Sequence, residues 1–230
     1  MKTIGLIGGM SWESSQEYYR IINEETKRRL GGLHSAQSLM FSFDFAEIEE
    51  LQHSGNWDEA TRRMVQAAQT LERGGADFVL ICTNTMHKMA KDTQEGISIP
   101  LLHIANPTGE AIRAQDINKT GLLGTKYTME HDFYKGRLVD NFGLEVIVPD
   151  EADRRIVHDI IYNELCLGEI KDASRKKYLE IIRKLNERGA QGVILGCTEI
   201  GLLVGQDNIS LPLFDTTRLH AQAAVTMALQ

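Results

Sequence analysis

Two segments of the chain place a side chain that could move a proton directly after a short apolar run. One run is followed by a hydroxyl, Thr83, and the other by a thiol, Cys197, and these two residues are 114 positions apart. The glycines that precede the runs, Gly75 and Gly189, have the same separation, and each run follows a helical stretch containing Glu-Arg-Gly. We interpret the match as an internal repeat, which predicts two similar halves in which Thr83 corresponds to Cys197.

A second pair of segments supports the repeat and enlarges the candidate site. Gly5–Gly8 is similar to Gly121–Gly124 at a separation of 116 positions. Small and polar residues follow four of the predicted strands, in Gly8-Gly9-Met10-Ser11, Thr83-Asn84-Thr85, Thr125-Lys126-Tyr127-Thr128 and Cys197-Thr198-Glu199. Ligands of open α/β sheets bind at the carboxyl ends of strands. If the halves face each other about a pseudo-two-fold axis, Thr83 and Cys197 are expected to approach one ligand from opposite sides.

This expected arrangement suits the inversion of a carbon stereocentre. Inversion requires that a proton leave one face of the carbon and that a proton return to the other face. A thiolate can serve as the base when a helix N-terminus and hydrogen-bond donors lower its pKa below the free value of about 8.5. If Cys197 is the base, its thiol is expected to meet this condition of a lowered pKa. Backbone amides and hydroxyls near the strand ends could hold an α-carboxylate and stabilise an enolate-like transition state.

The elements that must position these residues alternate between strands and helices. The strands are predicted at Thr3–Gly8, Ser38–Phe43, Phe78–Cys82, Leu101–His103, Thr120–Gly124, Glu145–Val148, Val193–Gly196 and Leu213–Phe214. Helices are predicted at Glu13–Leu30, Trp57–Arg73, Glu130–Phe142, Glu151–Leu167 and Ser174–Arg188, the last with Ser174 as its N-cap. Continuous apolar strands alternating with helices are typical of parallel sheets that are buried on both faces. The predicted fold class is therefore α/β, with two similar half-domains, each a parallel sheet flanked by helices.

The repeat also predicts the domain organisation. Residues 1–115 are assigned to the first half, which contains Thr83, and residues 116–207 to the second half, which contains Cys197. The C-terminal segment 208–230 is expected to complete the first half. The candidate active site is expected between the two halves.

Composition excludes several classes of protein. The 230 residues include 25 Lys+Arg and 32 Asp+Glu, for a net charge of −7, which disfavours binding to nucleic acid or an anionic membrane. No apolar run approaches the roughly 20 residues of a membrane helix, and the N-terminus does not resemble a signal peptide. Three cysteines in such a chain predict a reducing, cytoplasmic location without disulfides. The histidines show no metal-binding spacing, so no metal is expected.

Taken together, four motifs resemble those of the cofactor-independent aspartate/glutamate racemase family, and the resemblance covers nearly the whole chain. The motifs are Gly8-Gly9-Met10-Ser11-Trp12-Glu13-Ser14, Cys82-Thr83-Asn84-Thr85-Met86-His87, Gly124-Thr125-x-x-Thr128-Met129 and Gly196-Cys197-Thr198-Glu199. The likeness is strongest to the bacterial amino-acid racemases that act on L-aspartate and L-glutamate. It implies two α/β halves with a cleft between them, no pyridoxal phosphate, no metal, and a homodimer.

The chain departs from the family pattern at one position. The family has cysteine immediately before asparagine in its first-half motif, whereas this chain has Thr83 there and Cys82 one residue earlier. Because side chains alternate between the faces of a strand, Cys82 is expected to point into the core when Thr83 points into the site. The resemblance implies that Cys197 removes the proton from the L-enantiomer. Thr83 is then expected to protonate the opposite face, and it would be a poor base in the reverse direction.

The positions of polar residues within the four motifs predict which side chains contact the substrate. The hydroxyls of Thr85 and Thr198 suit the α-carboxylate, and the side chains of Asn84 and Glu199 suit the ammonium group. The remaining candidates are Met10 in the first glycine loop, the hydroxyls of Thr125 and Thr128 in the second, and Gln52, a neutral candidate for the distal end of the substrate. The predicted small-molecule partner is accordingly an amino acid, with L-aspartate and L-glutamate preferred.

Two other functions remain open at the level of sequence. One is a different carbanion reaction of the same superfamily, namely that of a decarboxylase, an isomerase or a hydantoin racemase. The other is a small-molecule binding protein that is catalytically impaired because its first-half cysteine is missing. Saturable binding of a ligand without exchange of its α-proton would indicate the binding protein.

Overall fold

The computed structural model describes residues 1–230, which fold into eight strands and eleven α-helices. The strands are β1 (Ile4–Gly8), β2 (Ser38–Ser42), β3 (Phe78–Ile81), β4 (Leu101–Leu102), β5 (Lys119–Gly124), β6 (Glu145–Ile147), β7 (Val193–Gly196) and β8 (Leu213–Asp215). The helices are α1 (Trp12–Leu30), α2 (Phe45–Ser54), α3 (Trp57–Arg73), α4 (Ala90–Glu95), α5 (Ala105–Arg113), α6 (Lys126–Glu130), α7 (Asp132–Phe142), α8 (Glu151–Asn163), α9 (Asp172–Glu187), α10 (Ile200–Leu203) and α11 (Thr216–Ala228). All eight predicted strands are present, and the predicted α/β fold class is confirmed.

The chain divides into two compact units. The first unit comprises Met1–Ile104 and His220–Gln230, and its four-stranded parallel sheet has the order β2-β1-β3-β4. The second unit comprises Ala105–Leu219, and its four-stranded parallel sheet has the order β6-β5-β7-β8. The two sheets thus have the same internal order, as an internal repeat requires.

The unit boundaries differ from those predicted from the repeat. The first unit ends at Ile104 rather than at residue 115, because α5 packs within the second unit. Residues 208–219, which were expected to complete the first half, also lie in the second unit, because β8 pairs with β7. Only the last eleven residues, His220–Gln230, return to the first unit. The sequence of a short apolar strand does not indicate which of the two sheets the strand joins. The repeat alone could therefore not define this boundary.

Strand alternation distributes side chains between the two cores of the first unit. In β3, Phe78 and Leu80 pack with Cys82 in a cluster that includes residues of α1 and α11. Val79 and Ile81 point to the opposite face, where they pack against α2 and α3. Cys82 is 1% exposed, so the prediction that it points into the core is confirmed.

Some helix bounds also differ from the sequence prediction. Ser174 is not an N-cap, because α9 begins at Asp172 and the capping residue is Lys171. The Ser174 hydroxyl instead donates to Glu164 Oε2 at 2.5 Å. The helices predicted at Glu130–Phe142 and Glu151–Leu167 are each divided, the first at His131 and the second at Glu164. None of the helices has both the length and the apolar composition to cross a membrane.

Candidate active site

The first half-site begins with the glycine loop that joins β1 to α1. Gly9 has a φ of +83°, and a Cβ at this position would lie 2.3 Å from the Phe43 carbonyl oxygen, so only glycine fits. The Gly9 amide donates to Ser15 Oγ at 2.8 Å. Ser11 caps α1 by accepting from the Ser14 amide. The loop therefore has a fixed backbone at the carboxyl end of β1.

The side chains of Met10 and Gln52, two predicted substrate contacts, are buried in this unit. Met10 belongs to the hydrophobic cluster formed with α2 and α3, so its side chain is part of the core. Gln52, in the last turn of α2, is 4% exposed and donates from Nε2 to Met86 Sδ at 3.1 Å. That contact places the Gln52 amide beside the turn that follows Thr83.

The segment that carries Thr83 leaves β3 and enters a 3-10 turn at Thr85–Met89. Thr83 is 9% exposed, and Asn84 and Thr85 are more deeply buried. The neighbouring Cys82 lies in the apolar core, where burial raises the pKa of its thiol far above the ordinary range. Cys82 is therefore a structural residue, and the polar end of this segment consists of Thr83, Asn84 and Thr85.

In the second unit, the corresponding glycine loop follows β5. Thr125 is the N-cap of α6, and its Oγ1 accepts from the Thr128 amide at 3.3 Å. The two hydroxyl oxygens are also 3.3 Å apart, so Thr125 and Thr128 form one hydrogen-bonded pair. A Cβ at Gly196 would lie 2.7 Å from the Leu123 carbonyl oxygen, which explains why the neighbouring strand ends in glycine.

Cys197, Thr198 and Glu199 form a compact hydrogen-bonded group after β7. The Cys197 thiol donates to Glu199 Oε2 at 2.9 Å, and the Thr198 hydroxyl donates to the same oxygen at 2.9 Å. All three residues are buried, with exposed fractions of 8%, 5% and 1%. The Glu199 carboxylate is thus an acceptor for the thiol proton within hydrogen-bond distance.

The electrostatic environment of Cys197 contradicts one prediction from the sequence. Burial raises the pKa of the Cys197 thiol well above its ordinary value, and the negative charge of Glu199 raises that pKa further. The expected lowering of the pKa was wrong because Glu199 is an acceptor beside the sulfur, whereas the prediction assumed donors there. The thiol is therefore the resting form, and a thiolate requires that its proton move to an acceptor.

Sequence reasoning missed the contacts that hold the nominated segments in place. The Ser14 hydroxyl donates to the Cys82 carbonyl at 3.1 Å, and His87 Nδ1 lies 2.8 Å from the Thr83 carbonyl oxygen. The four-residue spacing of Thr83 and His87 is that of a helical turn, and this was the available signal. Nowhere in residues 1–230 are three or more His, Cys, Asp or Glu side chains arranged to hold a metal ion.

Two repeated α/β units, each with polar residues at the carboxyl ends of its parallel strands, are the architecture of a two-domain α/β enzyme. The sequence profile of the family described as Asp/Glu/Hydantoin racemase matches residues 7–224. The chain belongs to this family, and we assign it to the isomerases as an amino-acid racemase.

Three relatives illustrate the similarity. A Yersinia pestis protein, described as a candidate Asp/Glu racemase, is 54% identical to this chain and has a TM-score of 0.92. The match covers 100% of both chains. A Pyrococcus horikoshii aspartate racemase homologue is 33% identical, with a TM-score of 0.86 and 100% coverage of both chains. The broad specificity amino-acid racemase RacX of Bacillus subtilis is 27% identical over 173 residues, which are 74% of this chain and 72% of RacX.

Proposed function

We propose that this protein racemises amino acids without a cofactor, with L-aspartate and L-glutamate preferred, using Cys197 and Thr83 on opposite faces of the substrate. The observation that carries the proposal is the 2.9 Å hydrogen bond from the Cys197 thiol to Glu199, within a member of a racemase family. A buried thiol that can pass its proton to a neighbouring carboxylate becomes a thiolate, which can accept a proton from the α-carbon of an amino acid.

The first step removes the α-proton of the L-enantiomer. The thiol proton passes to Glu199 Oε2, and the resulting Cys197 thiolate takes the proton from Cα. The electron pair of the broken C–H bond moves into the α-carboxylate, which becomes enolate-like. The ammonium group of the substrate adds a positive charge that favours both the thiolate and the carbanion.

The second step returns a proton to the other face. The Thr83 hydroxyl donates its proton to Cα and regains one from water, and Glu199 then releases the proton it took from the thiol to the hydroxide left by that water. The net change is the removal of one proton from one face and the addition of one to the other. A threonine hydroxyl is a weak acid and a very weak base. We therefore expect a slower step at Thr83 than at Cys197, and a lower kcat from the D-enantiomer. Because the equilibrium constant of a racemisation is one, kcat/KM must be equal in the two directions.

The proposed substrate contacts divide between the units. In the first unit, Asn84 would accept from the ammonium group, Thr85 would bind the α-carboxylate, and Gln52 would face the distal carboxylate. In the second unit, Thr198 would bind the α-carboxylate and Glu199 the ammonium group. The remaining proposed contacts are the hydroxyls of Thr125 and Thr128 and the backbone of Met10.

Two similarities bear on the choice of substrate. The Pyrococcus horikoshii relative is an aspartate racemase homologue with 33% identity over the whole chain. The Bacillus subtilis relative is named a broad specificity racemase, which leaves room for further amino acids. Gln52 has no charge, so it would bind a distal carboxylate by hydrogen bonding and would select it less strictly than a cation would.

We also propose that the protein is a cytoplasmic homodimer. All three cysteines, Cys82, Cys166 and Cys197, are free thiols, which fits a reducing compartment. Sedimentation velocity at micromolar protein concentration tests the assembly, and a purely monomeric species would contradict it.

Chiral chromatography of the products tests the proposed reaction. Wild-type protein, prepared without pyridoxal phosphate and with a metal chelator, should convert L-aspartate and L-glutamate to their D-enantiomers. Cys197→Ala should lose this activity, whereas Cys166→Ala, which removes a partly buried thiol at the edge of the core, should retain it. Saturable binding of L-aspartate without any D-product would contradict the proposal and favour a binding protein.

A further inference from the structure

The two peptide groups that flank Thr83 are each fixed by a buried side chain. On one side, the Ser14 hydroxyl donates to the Cys82 carbonyl at 3.1 Å. On the other, His87 Nδ1 contacts the Thr83 carbonyl at 2.8 Å. Ser14 and His87 are 0% and 2% exposed, so neither bond is shared with bulk water. Both bonds act on the backbone and leave the Thr83 hydroxyl unused.

The hydrogen bonds of His87 define its tautomer. The Ile104 amide donates to His87 Nε2 at 3.1 Å, so Nε2 must be the unprotonated nitrogen. Nδ1 then carries the hydrogen and donates it to the Thr83 carbonyl. The His87 ring also packs against the rings of His103 and His220, with centroid distances of 4.5 and 5.8 Å. His87 is thus a neutral, oriented donor that cannot rotate without breaking both bonds.

The corresponding position in the second unit has no such side chain. The repeat aligns Thr83 with Cys197, and it therefore aligns His87 with Gly201. The Cys197 carbonyl accepts from the backbone amide of Ile200 at 3.1 Å. The side-chain bond to the carbonyl of the proton-transfer residue is therefore specific to the half that carries the hydroxyl.

The extra side-chain bond in the first half follows from the chemical difference between the Thr83 hydroxyl and the Cys197 thiol. Fixing both flanking peptides fixes the backbone dihedrals of Thr83, and a β-branched side chain then has few χ1 rotamers. The direction of the hydroxyl is set by this combination. Because a hydroxyl is a weak acid, proton transfer from it to carbon depends strongly on alignment, and a displacement of about 1 Å can lower a rate about 100-fold.

We propose that Ser14 and His87 are positioning residues that align the Thr83 hydroxyl for protonation of the substrate, an inference that rests on the proposed function. Neither residue contacts the reacting atoms in this scheme. Their loss is therefore expected to slow the step at Thr83 while leaving the step at Cys197 nearly unchanged.

The test compares two rates for L-aspartate in deuterated water. Loss of the α-proton signal in NMR measures abstraction, and chiral chromatography measures inversion. In Ser14→Ala and His87→Gln, inversion should fall about 10- to 100-fold, whereas α-proton loss should fall less than about threefold. The glutamine side chain can accept from the Ile104 amide but does not reach the Thr83 carbonyl.

Two control variants separate positioning from stability. His87→Asn places an amide N–H near the position of Nδ1, so it should restore much of the inversion rate that His87→Gln loses. Thr120→Val removes another buried hydrogen bond from a side chain to a backbone carbonyl, that from the Thr120 hydroxyl to Gly192 at 3.0 Å, and should leave the ratio of the two rates unchanged. Circular dichroism confirms that each variant is folded.

Three outcomes are informative. A wild-type protein that catalyses neither α-proton loss nor inversion contradicts the proposed function and, with it, this inference. An active wild type whose rate ratio is unchanged in both Ser14→Ala and His87→Gln overturns the inference alone. Equal loss of both rates in all the variants, including Thr120→Val, assigns Ser14 and His87 a structural role and also overturns the inference.

Discussion

At the scale of the residue, Cys197 lies in an environment that opposes ionisation of its thiol. Burial and the Glu199 carboxylate both raise the pKa of this thiol, yet Glu199 is also the nearest acceptor for its proton. The two effects are compatible when the substrate brings a positive charge. In the proposed mechanism the thiolate therefore forms only in the complex with substrate, where its base strength is needed.

This account predicts opposite effects of Glu199→Gln on ionisation and on catalysis. Removal of the negative charge should lower the pKa of the Cys197 thiol, because the thiolate no longer faces a like charge. Alkylation of Cys197 by iodoacetamide, followed peptide by peptide by mass spectrometry, should therefore begin at lower pH than in the wild type. Racemase activity should nevertheless fall, since the proton acceptor is lost. An unchanged or raised midpoint for alkylation would contradict the account.

The position of Cys82 in the core could be predicted from the sequence, whereas the hydrogen bonds to the peptide groups that flank Thr83 could not. Alternation along β3 and the repeat both assign Cys82 to the core, and its burial confirms this. Ser14 and His87 reach Thr83 through contacts that depend on the packing of α1 and of the turn after β3. The thiol–carboxylate bond of Cys197 likewise depends on a rotamer, and residue order alone does not specify it.

At the scale of the element, continuous apolar runs made the strands easy to predict. Parallel strands that are buried on both faces, such as β1 and β7, have no polar alternation, so their limits coincide with their apolar runs. Helix bounds were less predictable. The start of α9 depends on backbone capping at Lys171 rather than on the serine two residues inside the helix.

The β1–α1 loop gives a prediction at this scale. Gly9→Ala should lower the free energy of unfolding by about 1–3 kcal/mol more than Gly55→Ala, because overpacking adds to the strain of a positive φ. Both glycines have a positive φ, +83° and +73°, but a Cβ at Gly9 meets the Phe43 backbone and one at Gly55 meets nothing within 4 Å. Urea denaturation measures both variants. Equal destabilisation would show that the loop can shift to admit the methyl group.

At the scale of the whole molecule, the chain leaves the first unit after Ile104 and returns to it at His220. The returning His220 is fully buried, with Nδ1 accepting from the Tyr18 hydroxyl and Nε2 donating to the Leu102 carbonyl. Burial lowers the pKa of His220 to about 4. The last eleven residues thus anchor to the first unit through a histidine that stays neutral. The repeat could not reveal this return, because it has no counterpart in the second unit.

The lowered pKa of His220 makes the stability of the protein sensitive to acid. Above pH 6.5, His220 is neutral in both the folded and the unfolded protein. Between pH 6.5 and about pH 4, the unfolded chain binds a proton at this residue that the folded protein does not bind. Stability is therefore lost as the pH falls from about 6.5 to about 4, by about 2 kcal/mol between pH 7 and pH 5. His220→Asn should lose about 2 kcal/mol less over this interval, as measured by urea denaturation at both pH values. His34→Asn, at an exposed histidine, is the matched control, and an equal pH dependence in all three proteins would refute the assignment.

In the proposed mechanism, Cys197 abstracts the proton of the L-enantiomer and Thr83 protonates the opposite face. Loss of the α-proton of L-aspartate in deuterated water, measured by NMR together with the chirality of the product, tests it most directly. Thr83→Ala should still exchange the α-proton of L-aspartate with solvent while forming almost no D-aspartate, and Cys197→Ala should do neither. Exchange that survives in Cys197→Ala, or full racemisation by Thr83→Ala, would contradict the account.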